Sequence, residues 1–367
     1  MMRLALDGTP LLGFRSGVGE VVAGIGPELA RRPEVELVAY ALTLRGRHDL
    51  AARIPPGTRS ATRAYPARLV RQAWLRSEFP TIERWTGPVD VVHATNYVAP
   101  PTNAGEVVSV YDLGFLRYPD FVAADALDYP ELLRRAVRRG AWIHTTSDFV
   151  RDEVVTAFPV PAERVVRVYP GVPPVHGGDA AHGHALAGSA RYVLAVGTIE
   201  PRKNFPVLVR AFDALAADDP DIRLVVAGQR GWGSDEFDAA LTAARHRDRV
   251  RTPGYVSADD RADLLAGASV LAFPSHYEGF GFPPLEAMAA GIPVVASRAG
   301  AVPEVVGDSA RLVDPDDADA LADALHAVLT HDTTRRDLVS RGRARHDAFS
   351  WVQTVDELLD LYRAVRT

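Results

Sequence analysis

Apolar positions along this chain fall into two alternating kinds. Mainly apolar runs at about 3–6, 35–42, 89–93, 106–111, 142–146 and 165–169 have the length of buried strands, and apolar residues at helical spacing lie between them. This alternation predicts a doubly wound α/β layer whose ligands sit beyond the carboxyl ends of its strands. The pattern restarts near residue 191. A strand at 192–197 is followed by a helical face of Phe205, Leu208, Phe212 and Leu215, and further buried runs lie at 222–228, 270–273 and 292–297. Residues 171–190 are rich in Pro, Gly, His and Ala without a period and predict a connection. The expected division is therefore a domain over 1–170, a connection over 171–190 and a second domain over 191–349. A closing helix over 350–367 is expected too, capped by Ser350 and carrying Trp351, Val355, Leu358, Leu359 and Tyr362 on one face.

Polar residues that carry chemistry gather just after the predicted strands. After the run ending at Phe273 comes Glu278-Gly-Phe-Gly-Phe-Pro-Pro-Leu-Glu286, a strand-to-helix turn. Gly279 and Gly281 let a ligand approach the backbone between Phe280 and Phe282, and the free N–H groups of a first helical turn favour an anion. Glu278 and Glu286 would repel that anion, so they are read as acceptors for hydroxyls on either side of it. The same string also fits a plain tight turn with one glutamate at the helix dipole. After the strand at 192–197 comes Gly197-Thr198-Ile-Glu-Pro-Arg202-Lys203-Asn, where a guanidinium fork and a compact ammonium suit a diphosphate. In the first half, His93 with Asn96 and Tyr111 with Asp112 stand at strand ends, and Gly17 and Gly19 lie in a turn after the first strand. They match a dinucleotide fingerprint only in part, since Tyr40 stands where an acid for the ribose is expected.

Composition narrows the function class. With 367 residues and 47% apolar content the chain can fill two cores. A net charge of −6 and a pI near 6.0 lack the basic footprint of a nucleic-acid binder. The absence of cysteine removes disulfides, thiolate metal sites and thiol nucleophiles. No apolar run approaches the roughly 18 to 20 residues of a membrane span, which reads as a cytoplasmic protein. The arginine pairs Arg134/Arg138 and Arg135/Arg139 are a candidate contact with the inner face of a membrane or an anionic acceptor, beside the plainer reading of a solvated helix face. Of 41 basic residues, Lys203 is the one lysine. His176, His182 and His184 read as connection residues, and the Asp-Pro-Asp triplets at 219 and 314 as turns, so no metal and no cofactor is expected.

These strings resemble the retaining glycosyltransferases of family 4, which have the GT-B fold of two Rossmann-like domains. The two acids, with seven residues between them, resemble the family's E-x7-E signature, and residues 197–204 its phosphate turn in a branch that includes mannosyltransferases. Thr252-Pro-Gly-Tyr255-Val256 resembles the wall around the nucleotide base. The resemblance implies a nucleotide-diphosphate sugar, with GDP-mannose suggested by that branch, as donor. The acceptor would be a hydroxyl of a glycan, glycolipid or small molecule, and no metal would be needed. It assigns Arg202 and Lys203 to the diphosphate, Glu278 to the sugar and Glu286 to the ribose, and it lays the glycine-rich loop of Gly17 and Gly19 against the donor phosphates. It also puts Tyr111 beside the sugar, where the family has histidine, and leaves His93, Asn96 and Asp112 on the acceptor side. That tyrosine keeps a second reading open, a transferase-like protein that holds a sugar nucleotide without transferring it.

Overall fold

The computed structural model describes residues 1–13, 17–43, 49–64, 66–119, 126–172 and 177–366. The chain divides into two compact units, Met1–Gly171 with Phe349–Thr367, and Val172–Ala348. Each is a parallel sheet flanked by helices.

The first unit holds β1 (Met2–Asp7), β2 (Val35–Thr43), β3 (Arg59–Ala64), β4 (Val91–Ala94), β5 (Gly105–Val110), β6 (Trp142–Thr145) and β7 (Val165–Arg167). Their order is β3-β2-β1-β4-β5-β6-β7, so the direction of winding reverses between β1 and β4. Strands in the middle of a parallel sheet are covered on both faces, which is why β4 is buried at every position and reads as an apolar run. At the sheet's margin β3, Arg-Ser-Ala-Thr-Arg-Ala, carries no such run and was not expected. The helix Gly17–Ala30 also begins earlier than the apolar spacing suggested, which places Gly17 and Gly19 in its first turn rather than in a loop. Ser16 and His176 lie outside the described residues.

The helix Trp351–Val365 returns to this unit and buries Val355, Leu358, Leu359 and Tyr362. Trp351 packs so closely on Gly24 and Gly171 that a Cβ at either would stand within 2.4 Å of an atom of Trp351. Thr354 donates to the carbonyl of Tyr169 at 2.8 Å. Tyr362 starts a buried polar chain across the sheet. Its hydroxyl is 2.7 Å from His93 Nδ1, His93 Nε2 is 2.8 Å from Ser109 Oγ, Ser109 Oγ is 2.8 Å from His144 Nδ1, and His144 Nε2 is 3.2 Å from the Val168 carbonyl. A carbonyl only accepts, so His144 carries its proton on Nε2 and Nδ1 takes the Ser109 proton. Serine then accepts from His93 Nε2–H, and Tyr362 donates to His93 Nδ1. Every donor points the same way, and both imidazoles are neutral. His93, an acceptor-side candidate in the sequence, is thus enclosed with both ring nitrogens bonded.

Burial lowers both histidines, His144 to about 4. The unfolded chain binds more protons than the fold between an ordinary value near 6.5 and about 4, so this contribution to stability is complete above that window and lost as pH falls through it. Burial raises the carboxyls of Asp7 to about 6 and Glu106 to about 7, which act in the opposite sense. A His144→Asn variant isolates the histidine. Between pH 7 and 5 the wild-type urea midpoint should fall relative to that of the variant, and parallel profiles would contradict the neutral assignment.

The second unit holds β8 (Tyr192–Val196), β9 (Arg223–Ala227), β10 (Val250–Gly254), β11 (Val270–Phe273), β12 (Val294–Ser297) and β13 (Arg311–Val313), in the order β10-β9-β8-β11-β12-β13. Its winding reverses between β8 and β11. Phe205, Leu208, Phe212 and Leu215 do share the buried face of the helix Phe205–Asp218, against Val193, Leu224 and Val270. Where an aperiodic connection was expected there is a helix, Ala180–Ala187, capped by Asp179 and ended by Gly188 in the left-handed region. Alanine-rich and short, it shows little amphipathic contrast, because it packs on the helix Ala258–Gly267 through small residues.

Candidate active site

In the second unit the groups with chemistry collect where the strand order reverses, beyond the carboxyl ends of β8 and β11. The chain leaves β8 through Gly197 and makes one tight turn, Pro201–Lys203. It enters the helix Phe205–Asp218 through Asn204, which adopts a left-handed conformation (φ 55°). The buried amide of Asn204 donates to the carbonyls of Pro274 at 3.1 Å and Pro315 at 2.6 Å, tying this turn to the end of β11. Asn204 ends the string read in the sequence but was not singled out there; asparagine is among the residues enriched at positive φ, whereas an ordinary helix cap is extended.

From β11 the chain runs through Ser275 to Glu278, then Gly281 (φ 103°) begins the helix Phe282–Ala289. Glu278 is 6% exposed and spans both cations of the other turn. Lys203 Nζ lies 2.6 Å from Oε1, and Arg202 Nη1 lies 2.8 Å from Oε2. Arg202 also donates to the Tyr277 carbonyl at 2.9 Å and pairs with Glu200 at 2.7 Å. Burial alone would raise the Glu278 carboxyl, but the charges of Arg202 and Lys203 outweigh it and hold the group at about 2. Burial lowers the Lys203 ammonium, with Glu278 opposing. Of the three N–H bonds of that ammonium, one goes to Glu278, and Phe273 lies below it at 5.1 Å from ring centroid to Nζ. The other two N–H bonds have no hydrogen-bond acceptor among the described residues.

The loop after β12 closes the back of this turn. Ala301 N donates to the Glu278 carbonyl at 2.9 Å, and Gly300 (φ 57°) lies so near that a Cβ there would stand 2.6 Å from the Glu278 carbonyl oxygen. Glu286, almost fully buried on the helix Phe282–Ala289, pairs with Arg261 at 3.3 Å. Arg261 is a second residue not singled out in the sequence. It lies in the helix Ala258–Gly267, whose cap is the Ser257 hydroxyl accepting from Asp260 N. Ahead of that helix Tyr255 is 62% exposed and Val256 half-buried.

A family model described as Glycosyltransferase Family 4 matches residues 15–176, and one described as Glycosyl transferases group 1 matches residues 181–345. The O-antigen chain mannosyltransferase B of Escherichia coli is 31% identical over 302 residues, covering 80% of this chain and 77% of that protein. The chain belongs to glycosyltransferase family 4. Solved structures agree on the GT-B fold of this glycosyltransferase. Sucrose-phosphate synthase from Thermosynechococcus elongatus superposes with a TM-score of 0.77 at 21% identity, over 100% of this chain and 99% of that one. HepE of Anabaena, in complex with UDP-glucose, gives 0.73 at 17%, over 99% and 100%.

Among the candidates of the glycosyltransferase's second unit, Gly197, Arg202, Lys203 and Glu278 come together, since a Cβ on Gly197 would be 3.3 Å from Lys203 Cε. Thr198 lines the approach of Gly231. Phe280 and Phe282 pack edge to face at 5.1 Å on either side of Gly281, with Gly279 preceding them. In the first unit the Tyr111 ring packs edge-on against Tyr97, and its hydroxyl is buried, with burial pushing its ionisation well up and Ser109 opposing. Asp112 accepts from Gly114 N at 2.8 Å in the turn that precedes the short helix Gly114–Arg117. Asn96 lines a cavity in that unit.

The remaining charged stretches are occupied. Asp314 accepts from Asp316 N, and Asp219 accepts from Asp221 N and pairs with Arg191, so both triplets are turns. His182 Nδ1 is 2.7 Å from Asp263, and with Asp260 the three could offer ligand atoms within 4.8 Å of one another. Each already has a protein partner, Asp260 holding the Ser257 hydroxyl. Arg135 and Arg139 pair with Glu78, Arg139 also with Glu106, and Arg134 and Arg138 with Glu131, so the arginine strip is matched by acids. Among the described residues no helix is long and apolar enough to cross a membrane.

Proposed function

We propose that this glycosyltransferase moves a hexose, mannose from GDP-mannose, to a hydroxyl of a glycan, glycolipid or small molecule, with retention at the anomeric carbon and without a metal. The observation that carries it is the pair Arg202 and Lys203, held on one carboxylate at the reversal point of the second sheet. Such a pair supplies the positive field that other transferases take from an ion. The diphosphate would take the spare N–H bonds of Lys203 and the backbone amides after Glu278, releasing the Glu278 carboxylate toward the sugar hydroxyls. The anomeric carbon–phosphate oxygen bond breaks as the carbon–acceptor oxygen bond forms, and the acceptor proton passes to the departing phosphate. The mannosyl assignment is supported by the relative from Escherichia coli and by the phosphate-turn resemblance.

Release of GDP from GDP-mannose, compared with UDP and ADP hexoses, tests this reading. Release should persist unchanged in EDTA. Loss of turnover in EDTA, restored by magnesium or manganese, would sink the metal-free account.

A further inference from the structure

The second unit of the glycosyltransferase has a hollow of about 450 Å³ away from the turns that carry Lys203 and Glu278. It is lined by Arg335, Arg336, Val339, Ser340 and Arg343 of the helix Asp332–His346, and by Gly291, just past the end of the helix Phe282–Ala289. The latter helix opens at the Glu278 turn, and its 8 residues, at a rise of about 1.5 Å each, put its two ends roughly 12 Å apart. The hollow is therefore a separate place from that turn.

Helical spacing gathers the lining. Arg336, Ser340 and Arg343 follow one another at i, i+4 and i+7, and Arg335, Val339 and Arg343 at i, i+4 and i+8, so two rows meet at Arg343. Gly342 seats the helix, since a Cβ there would stand 2.9 Å from Met288 Cγ. One residue on, Arg343 crosses Gly291 (φ 74°), where a Cβ would stand 2.8 Å from its Nη2. The negative end of the helix Phe282–Ala289 favours a cation at that place.

Partners separate these side chains from the other arginines of the helix. Arg341 pairs with Asp337 and Asp308, and Arg345 donates to the carbonyls of Glu304 at 2.7 Å and Val305 at 2.8 Å, so both serve the packing of the helix. Arg335 pairs with Asp332 at 3.1 Å. Arg336 gives Nε to the Asp332 carbonyl at 3.3 Å and keeps its terminal N–H groups, while the guanidinium of Arg343 has no hydrogen bond or ion pair among the described residues. The Ser340 hydroxyl has no hydrogen bond there either.

Three guanidiniums and no carboxylate line the hollow, which selects an anion. A carboxylate offers two oxygens in one plane. A phosphomonoester carries a charge of about −1.5 to −2 and three acceptor oxygens pointing in different directions, which suits forks arriving from separate helical positions and a hydroxyl between them. We propose that this hollow binds a phosphomonoester, its phosphate held by Arg336, Ser340 and Arg343. Val339 and Gly291 leave room beside the phosphate for the rest of the molecule. A soluble sugar phosphate and a phosphatidic acid headgroup offer the same chemistry, and the test separates them.

The test is an NMR titration of the full chain that follows the arginine Nε–H signals, with inorganic phosphate, glucose 6-phosphate, acetate, and phosphatidylcholine vesicles with and without phosphatidic acid. A phosphate probe should shift the Arg336 and Arg343 signals at concentrations where acetate does not. Arg336→Gln and Arg343→Gln, each read on the remaining arginine, should weaken that binding about tenfold, the loss of one charge-assisted contact. Arg341→Gln removes the same charge from the same helix outside the hollow and should leave binding unchanged. The response should persist in Lys203→Ala, which distinguishes this site from the one after β8. A response to glucose 6-phosphate assigns a soluble ligand, and a response to phosphatidic acid vesicles alone, lost in Arg343→Gln, assigns the lipid. No response to any phosphate probe, an equal response to acetate, equal weakening by Arg341→Gln, or loss of the response in Lys203→Ala would overturn the proposal.

Discussion

Lys203→Ala is expected to lower kcat by about 10² to 10³ with a smaller change in KM, the usual effect of removing one preorganised donor to a developing negative charge, or roughly 3 to 4 kcal/mol. The ammonium sits at the reversal point of the sheet with two N–H bonds not taken by the described residues, so its charge is aimed before the substrate arrives. The fold should survive. Glu278 keeps Arg202 at 2.8 Å, so the deletion does not strand a buried carboxylate, which is the case that costs most. Lys203→Arg should recover only part of the rate, because a planar fork cannot occupy the compact site above Phe273 as an ammonium does. Near wild-type turnover by folded Lys203→Ala would remove the residue from the reaction.

Gly300→Ala should damage both stability and rate although it adds one methyl group. Its backbone is left-handed at φ 57°, which costs an L side chain roughly 1 to 2 kcal/mol. The new Cβ would also stand 2.6 and 2.7 Å from the carbonyl oxygen and nitrogen of Glu278, contacts that only a backbone shift relieves. A total near 2 to 4 kcal/mol in a unit of this size corresponds to a fall of roughly 4 to 16 °C in melting temperature. The shift moves the carboxylate that holds Arg202 and Lys203, so kcat should fall at least tenfold in the protein that remains folded. A melting temperature and rate matching wild type would show that this loop does not set the position of Glu278.

What the sequence made legible follows from burial. Central strands such as β4 and β11 are covered on both faces and appear as apolar runs, whereas β3 lies at a sheet margin, where Arg59, Ser60 and Thr62 suffice. The helix Ala180–Ala187 was hidden for a related reason, since alanine and glycine pack without leaving a hydrophobic period. At the site, Arg202, Lys203 and Glu278 were legible as charges after strands, but their pairing across 75 residues of chain depends on β8 lying beside β11. Asn204, Gly300 and Arg261 act through backbone angle, close approach and partner choice, none of which a pattern of apolar and polar positions records. His93 looked like a strand-end candidate because the Tyr362 that covers it comes from the far end of the chain.

The central claim is that Arg202 and Lys203 receive a diphosphate. Calorimetric titration of wild type with GDP and GMP, repeated with the uridine and adenosine pairs, measures it directly. The diphosphate of the preferred base should bind at least tenfold more tightly than its monophosphate, and Lys203→Ala should reduce that ratio to near one. Equal affinity for both forms in wild type, or a ratio untouched by the substitution, would contradict the placement of the phosphates.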